Sequence, residues 1–381
     1  MSTWVNCHNK YEYWFAGISS VPRRKKIHLR TIVSCAEEIY RMEAGQTASL
    51  LWLTERERAG LVKCQGVSEA QLEEQYRYCL HEGIQLVLWQ DAEYPRRLRQ
   101  IYNPPYGLYY RGKLPEEERK AAAVVGARNC SFYGKSMAES IGFHLAGQGI
   151  SLISGMAAGI DGASHRGALQ AGGDTYGVLG CGVDVCYPAS HRELYESLTE
   201  QGGVLSEYPP HTQPLAMFFP QRNRIISGLS DVVIVVEAKE KSGSLITADF
   251  ALEQGKEIYA VPGRVGDTMS QGTNRLISQG AGIFLSIEDF QKEMNLFAGF
   301  AEFSVKKKKL LLEKSERLVY SCLDLSAKNL DELMAETGLS LRELMKNLES
   351  LREKGCILEL YKNYYGRREP DSGLTGDRLT E

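Results

Sequence analysis

The sequence predicts an α/β protein whose central part forms a doubly wound parallel sheet. Short apolar runs recur between residues 121 and 286, and a run such as VVIVV at 232–236 is typical of a strand buried on both faces. Amphipathic spans long enough for a helix separate most of these runs, which is the β-α-β rhythm of such a sheet. Glycine-rich turns follow the runs where a strand would pass into a helix.

The central elements follow one another along the chain without internal repeats. Strands are predicted at residues 121–127, 151–155, 175–180, 204–208, 231–238, 257–263 and 282–286. Helices are predicted at 133–148, 162–172, 191–201 and 247–254.

Helical sequence flanks the sheet on both sides. Residues 1–85 predict a helical domain of SAM-like or helix-hairpin-helix-like type, and GISSVPRRKK at 17–26 would form either a plain helical turn or a DNA clamp. From residue 315, three amphipathic stretches, a capping box at Ser340 and Glu343, and a hairpin-like CILELYKNYYGR predict a winged helix-turn-helix. The predicted domains are 1–85, 86–300 and 315–368, with a linker at 301–314 that contains the basic run 306–309, and a tail at 369–381.

The charge distribution excludes binding of a polyanion through a generally basic surface. The net charge is 45 − 48 = −3, and residues 121–290 carry 11 basic and 17 acidic side chains, a net −6. Any nucleic-acid site in this region must therefore depend on local geometry.

The cellular location is expected to be cytoplasmic, without a membrane partner. The amino terminus lacks an apolar signal segment, and no apolar run approaches ~18 residues. The nine cysteines contain no C-x-x-C and predict free thiols.

Four loops at the predicted carboxyl ends of the strands have the composition of phosphate-binding loops. They are VVGARNCSFYGKS, SGMAAGIDGASH, GCGVDVCYP and EAKEKSGSLITA. Glycine lets the backbone approach an anion, and free N–H groups at a helix start bind it. The candidate side chains are the hydroxyls of Ser131, Ser242, Ser244 and Thr247 and the cations of Arg128 and Lys135.

Cofactor-binding and catalytic signatures are absent from these loops. The chain has no G-x-G-x-x-G after the first strand and no G-x-x-x-x-G-K-[ST], so we expect no dinucleotide, no P-loop nucleotide, no other cofactor and no metal ion. Asp161 and His165 could form an acid-base pair or part of a metal site; the favoured interpretation is a helix cap with a packed or phosphate-facing histidine. We expect no catalytic residues.

The stretch FFPQRNR at 218–224 places two arginines and two aromatic residues directly before a core strand. Arginine is suited to phosphate and phenylalanine to stacking on a base. We interpret it as a strand-loop rim, with Phe219 facing a base and Arg222 a phosphate. Arg224 would face the ligand or fix the loop, and one arginine could pair with an acidic residue such as Glu237.

These motifs together resemble the DprA/Smf family of DNA-processing proteins. The matching segments include GARNCSFYG, SGMAAGIDGASHRGAL, FPQRNRIISGLSDVVIVVEA and SGSLITADFALEQGKEIYAVPG. The resemblance implies an extended Rossmann-like fold that binds single-stranded DNA without sequence specificity. It also implies loading of the RecA recombinase, protection of incoming strands during natural transformation, and homodimerisation through the central domain.

The resemblance also implies a set of DNA- and phosphate-binding residues. They are Arg128, Ser131, Gly134 and Lys135 after the first strand, Ser154, Gly155, Gly159 and Asp161 after the second, Phe219, Arg222, Asn223 and Arg224 in FPQRNR, and Ser242, Gly243, Ser244 and Thr247 in SGSLIT.

Two other functions compete with DNA binding by a non-enzyme. A nucleotide-processing hydrolase on a related Rossmann fold would use a P-G-G-x-G-T-x-x-E loop, but the corresponding segment here reads EAKEKSGSLITA. A transcription regulator would read DNA with its winged helix, yet residues 316–365 carry 7 basic and 9 acidic side chains. A protein-contact role for that domain is favoured.

Overall fold

The computed structural model describes residues 8–293, 312–323 and 328–367. Its first part is helical, as the sequence predicts. The helices are α1 Lys10–Gly17, α2 Arg23–Ile32, α3 Ala36–Tyr40, α4 Ala44–Ser49, α5 Glu55–Gln65 and α6 Glu69–His81. Asn9 caps α1, and Thr54 and Ser68 begin α5 and α6 in capping boxes, so polar side chains satisfy the first free N–H groups.

A nine-stranded sheet forms the centre of the molecule. Its strands are β1 Gln85–Leu88, β2 Gly107–Gly112, β3 Ala121–Val125, β4 Ser151–Ser154, β5 Thr175–Val178, β6 Gly203–Ser206, β7 Val232–Val235, β8 Glu257–Ala260 and β9 Gly282–Ile283. The spatial order is β1-β2-β6-β5-β4-β3-β7-β8-β9. The seven strands β6-β5-β4-β3-β7-β8-β9 pair in parallel. At one edge of the sheet, β2 pairs antiparallel with β6, and β1 pairs antiparallel with β2. The predicted α/β class with a mostly parallel sheet is confirmed.

Helices cover both faces of this sheet. They are α7 Arg96–Arg99, α8 Phe132–Gly147, α9 Ile160–Gln170, α10 Arg192–Gln201, α11 Phe218–Leu229, α12 Gly243–Glu253, α13 Gln271–Ser278 and α14 Ile287–Glu293. Side chains of β7 alternate between the two faces: Val233 and Val235 join one buried cluster, and Val232 and Ile234 join the other. Because both faces need apolar contacts, the strand reads as an unbroken apolar run.

The interpretation of FFPQRNR as a strand-loop rim is wrong. These residues begin helix α11, and Pro220 lies in its first turn, where the missing N–H group is not needed. Ile225, Ile226 and Leu229 pack into the core on one face of the sheet. Tertiary burial of these three side chains stabilises a helix whose first turn has an atypical sequence.

The carboxyl-terminal part consists of three helices and a small three-stranded sheet. They are α15 Lys314–Cys322, β10 Lys328–Asn329, α16 Leu330–Thr337, α17 Leu341–Glu353, β11 Ile357–Tyr361 and β12 Tyr364–Arg367. The sheet order is β10-β12-β11, all antiparallel. The capping box of Ser340 and Glu343 starts α17 as predicted.

Several predicted segments fall on parts of the chain outside the described residues. These are the basic run 306–309, most of the predicted linker 301–314, and the tail 369–381. Within the described ranges, every helix is too short or too polar to cross a bilayer.

Candidate nucleic-acid pocket at the carboxyl ends of the strands

A cavity of about 570 Å³ opens beyond the carboxyl ends of β3 and β7. These two strands are neighbours, but the chain leaves β3 towards β4 on one side and β7 towards β8 on the other. The loops after the two strands therefore separate and leave a crevice between them, which is where doubly wound sheets bind ligands.

Several segments of the chain form the wall of this cavity, which we call the switch-point pocket. Most of them lie just after a strand or in the first turns of a helix. The polar, charged and aromatic residues of the lining include Arg128, Asn129, Asp161, Tyr187, Phe219, Arg222, Asn223, Lys239, Lys241, Ser242, Ser244 and Thr247, and Gly243 lies among them.

The lining of the pocket is strongly cationic, although its domain is acidic. The lining contains four cationic side chains, those of Arg128, Arg222, Lys239 and Lys241, and a single carboxylate, that of Asp161. Four positive groups in one crevice attract an anion and concentrate it locally. The expected dependence on local geometry is thus visible in the distribution of side chains.

An aromatic wall stands beside the exposed cation of the pocket. The guanidinium of Arg128 lies 4.9 Å from the centroid of the Phe219 ring, and the Tyr187 ring lies 5.5 Å from the same ring. Phe219 is half-buried, so part of its surface faces the cavity. A half-exposed aromatic face beside a cation can take both parts of a nucleotide: the base by stacking and the phosphate by charge.

Arg222 forms the floor of the pocket and is almost fully buried. Its Nη1 donates to the carbonyls of Gly155, at 2.7 Å, and of Val178. Its Nε has no hydrogen-bond partner among the described residues. Burial lowers the pKa of Arg222 to about 10, and the neighbouring carboxylate of Asp161 opposes that shift. Arg222 therefore braces two loops, and its Nε is a buried donor without an acceptor among the described residues.

Asp161 closes the loop after β4 and does not cap its helix. Its Oδ2 accepts from the backbone N–H of Gly155 at 3.1 Å. Desolvation raises the pKa of Asp161, while Arg222 and three backbone N–H groups oppose the rise. A Cβ atom on Gly155 would lie 2.5 Å from Nη1 of Arg222 and 2.6 Å from Oδ2 of Asp161, so only glycine fits between them.

His165 lies in the core and faces neither the pocket nor a phosphate. It is fully buried, and its Nδ1 lies 2.6 Å from Oγ1 of Thr175. The packed interpretation of this residue is therefore the correct one. Among the described residues, no group of three His, Cys, Asp or Glu side chains is arranged to hold a metal ion.

Burial of His165 predicts an acid sensitivity of the fold. Burial, followed by the charges of His191 and Arg166, lowers its pKa to about 3. The folded state therefore keeps the imidazole neutral while the unfolded state protonates below about pH 6.5. We expect the free energy of unfolding to fall by about 1.4 kcal/mol per pH unit from this residue between about pH 6 and pH 3, and His165→Gln to reduce that slope in urea titrations.

A surface histidine provides the control for this measurement. The His81 side chain is 85% exposed, so His81→Gln should leave the pH dependence unchanged. An equal slope in wild type and His165→Gln would contradict the prediction.

The first turn of α12 presents hydroxyl and N–H groups to the pocket. Ser242 is its N-cap, and the hydroxyl oxygens of Ser242 and Ser244 are 2.8 Å apart. Thr247 lies one turn further along the same lining. Nδ2 of Asn223 donates to the carbonyl of Gly243 at 3.2 Å and ties α11 to this turn. The positive end of a helix with free donors suits a phosphate group.

The other predicted residues of the loop after β3 do not line the pocket. The N–H and hydroxyl of Ser131 donate to the carboxylate of Glu237, which lies against Gly134. Lys135 is exposed on α8. Glu237 is thus held by a serine, and the suggested arginine–Glu237 pair is wrong.

Three further predicted residues support the pocket from behind. The buried hydroxyl of Ser154 donates to the carbonyl of Val124 at 2.6 Å, and Gly159 lies against the backbone of the loop after β3. Arg224 pairs with the buried Glu207 through contacts of 2.9 and 2.8 Å. Of the two alternatives for Arg224, facing the ligand or fixing the structure around it, the ion pair with Glu207 supports the second.

Sequence reasoning missed four polar or aromatic residues of the pocket lining. Asn129, Tyr187, Lys239 and Lys241 all lie in loops that it had selected as phosphate-binding. The exposed lysines of EAKEK could have been found, because they immediately precede the hydroxyl-rich helix start. Tyr187 carried no such signal, since only the fold brings it to Phe219.

The chain matches known proteins across this region. Residues 85–295 match the family model described as DNA recombination-mediator protein A. The chain is 42% identical over 214 residues to the DNA processing protein DprA of Bacillus subtilis, which covers 56% of this chain and 72% of that protein.

Two solved structures share the fold. The X-ray structure of DprA from Streptococcus pneumoniae matches with a TM-score of 0.65 at 35% identity, over 75% of this chain and 98% of the other. DNA processing protein A of Helicobacter pylori, studied for its single-stranded DNA binding mode, matches with a TM-score of 0.51 at 29% identity, over 55% and 96% of the two chains.

Proposed function

The chain belongs to the DNA recombination-mediator protein A family, and from that premise we propose that it binds single-stranded DNA in the switch-point pocket without sequence specificity and without catalysis. The observation that carries this proposal is the pocket itself: four cations and an exposed aromatic face stand at the positive start of α12. Phosphates and stacked bases are shared by all sequences, so such a site would be tolerant of sequence.

The biological role that we propose follows the family. The protein would protect incoming single strands during natural transformation and load the RecA recombinase onto them, in the cytoplasm. It would act as a homodimer assembled through the central domain. What supports these steps is family membership, together with the single-stranded DNA binding of the Helicobacter pylori relative.

The flanking parts are proposed to serve protein contacts. The order α15-β10-α16-α17-β11-β12 supports a winged helix within 315–368, and 7 basic against 9 acidic residues in 316–365 disfavour a phosphate surface. Residues 1–85 would form the SAM-like helical domain and 86–300 the Rossmann-like domain.

A nucleotide hydrolase is less well supported by the pocket. Such an enzyme needs a carboxylate free to act on its substrate. The only carboxylate in the pocket lining is Asp161, which is engaged by Gly155 and lies beside Arg222. Glu237, the other acidic residue close to the loop after β3, is occupied by Ser131.

Loss of the exposed Arg128 side chain should weaken DNA binding without affecting the fold. Arg128→Ala is expected to lower the affinity for an oligothymidine strand by about tenfold and to reduce the slope of log K against log salt by about 0.7, the contribution of one phosphate contact. Fluorescence anisotropy at two or more salt concentrations measures both quantities.

Two comparisons make this test specific. Arg77→Ala removes another exposed arginine, from helix α6 outside the pocket, and should leave the affinity unchanged. The wild-type chain should prefer the single strand over a duplex of the same sequence. Wild-type affinity in Arg128→Ala, or equal affinity for the two DNA forms, would contradict the proposed pocket.

A further inference from the structure

The four basic residues 23–26 form the first turn of α2, and their side chains contact other parts of the protein. Lys25 pairs with Glu57 of α5 at 2.6 Å, and Nζ of the buried Lys26 donates to the carbonyl of Ala16 at 2.8 Å. The guanidinium of Arg24 lies 4.5 Å from the exposed ring of Tyr102. Arg23 is the residue of this turn that hydrogen-bonds to side chains of the central sheet domain, those of Glu207 and Gln221.

Arg23 contacts one residue of helix α11 and one residue that follows β6. Its Nε donates to the carboxylate of Glu207, just after β6, and its Nη2 donates to Oε1 of Gln221, on α11, at 3.0 Å. The Arg23 side chain is 29% exposed, whereas that of Glu207 is only 5% exposed. A largely buried ion pair thereby joins α2 to the segment after β6, and a hydrogen bond to the exposed Gln221 joins α2 to α11.

The carboxylate of Glu207 also binds α11 directly, through Arg224. Glu207 accepts two hydrogen bonds from Arg224, and Arg224 also donates to the carbonyl of Asn103 at 2.9 Å. Burial would raise the pKa of Glu207, but the charges and hydrogen bonds of Arg224 and Arg23 outweigh it and hold that pKa below its usual value. One ionised carboxylate therefore connects α2, the end of β6 and α11.

Helix α11 thus presents some side chains to the pocket and others to the contact with Arg23 and Glu207. Phe219, Arg222 and Asn223 line the switch-point pocket, while Gln221 and Arg224 face the Arg23–Glu207 contact. A shift or rotation of α11 would move the pocket side chains. A displacement of about 1 Å in a site of this kind is enough to change its function.

We propose that Arg23 is a positioning residue for DNA binding: through Glu207 and Gln221 it docks the amino-terminal helices against α11 and sets the geometry of the switch-point pocket. The basic turn is then a contact between domains and not a DNA clamp. This inference rests on the proposed function of the pocket.

The test compares two neighbouring cations of α2 in the full chain. Arg23→Met should weaken oligothymidine binding by roughly 2- to 30-fold, the range through which residues outside a site act on it. The slope of log K against log salt should not change, because no phosphate contact is lost. Lys25→Met is the matched control: its side chain is 32% exposed and its ion pair lies within the amino-terminal helices, so binding should be unaffected.

A second measurement does not involve DNA. Hydrogen exchange of the amides of α11 should be faster in Arg23→Met than in Lys25→Met, since the helix loses a tether. Should Arg23→Met fail to fold, Gln221→Ala removes only the 3.0 Å contact of an exposed side chain and should weaken binding in the same direction.

The outcomes separate this inference from the proposed function. Wild-type affinity in Arg23→Met, with weakened binding in Arg128→Ala, would overturn the positioning role alone. A salt slope reduced as much as in Arg128→Ala would make Arg23 a direct phosphate contact and overturn it too. Wild-type affinity in both variants, or unchanged exchange in α11, would remove the basis for the inference.

Discussion

Arg222→Ala is expected to lower the free energy of unfolding by about 3–5 kcal/mol, the cost of leaving a buried group without its ionic partner. The carbonyls of Gly155 and Val178 would lose their donor inside the protein, and Asp161 would lose the cation beside it. Each unsatisfied group costs about 1–3 kcal/mol. Urea denaturation followed by circular dichroism measures this loss.

Arg128→Ala is the matched control for Arg222→Ala. Both arginines lie near the ring of Phe219, at 4.9 and 6.0 Å, but Arg128 is exposed and should change stability by less than about 0.5 kcal/mol. Both variants should weaken binding of single-stranded DNA. An Arg222→Ala protein as stable as the wild type would show that the arginine is not needed to brace the two loops.

Gly159→Ala is expected to destabilise the fold by about 2–6 kcal/mol, the sum of a backbone term and a steric term. Gly159 precedes α9 with a φ of 79°, a backbone angle that residues other than glycine rarely adopt. A Cβ atom there would lie 2.3 Å from the carbonyl oxygen of Ala127 and 2.4 Å from that of Arg128. The clash is with backbone, so relief requires movement of the loop that carries Arg128.

A second glycine of the same pocket provides the comparison. Gly243 begins α12, and a Cβ atom there would meet no heavy atom within 4 Å. Gly243→Ala should therefore stay within about 0.5 kcal/mol of wild type in the same denaturation experiment. A Gly159→Ala protein with wild-type stability and wild-type DNA affinity would contradict the assigned role of this glycine.

Seven of the nine strands of the central sheet, β3 to β9, were predictable because their pattern is local. β3 and β7 are buried on both faces, and a strand in that position must be apolar at every residue. The loops after them were predictable for a related reason, since a close approach of backbone to an anion or to another loop requires glycine. Seven predicted strands and the α/β class follow from these two constraints.

Helix α11 was not predictable in the same way. Its first turn, FFPQ, has no capping signal, and its stability comes from Ile225, Ile226 and Leu229 packing on the sheet. Once the segment is helical, the separation of the two arginines is explained: residues two apart on a helix differ by about 200° in direction. Arg222 consequently faces the pocket and Arg224 faces Glu207.

The sequence by itself determined the class of the fold, the family, and which loops surround the candidate site, because strand burial and glycine turns leave local patterns. Only the tertiary structure decided the roles of individual charges: Arg222 as a buried brace, and Arg224 and Arg23 as partners of Glu207. The physical reason is that a charge acts on whatever lies within a few ångströms of it, and those neighbours come from distant parts of the chain.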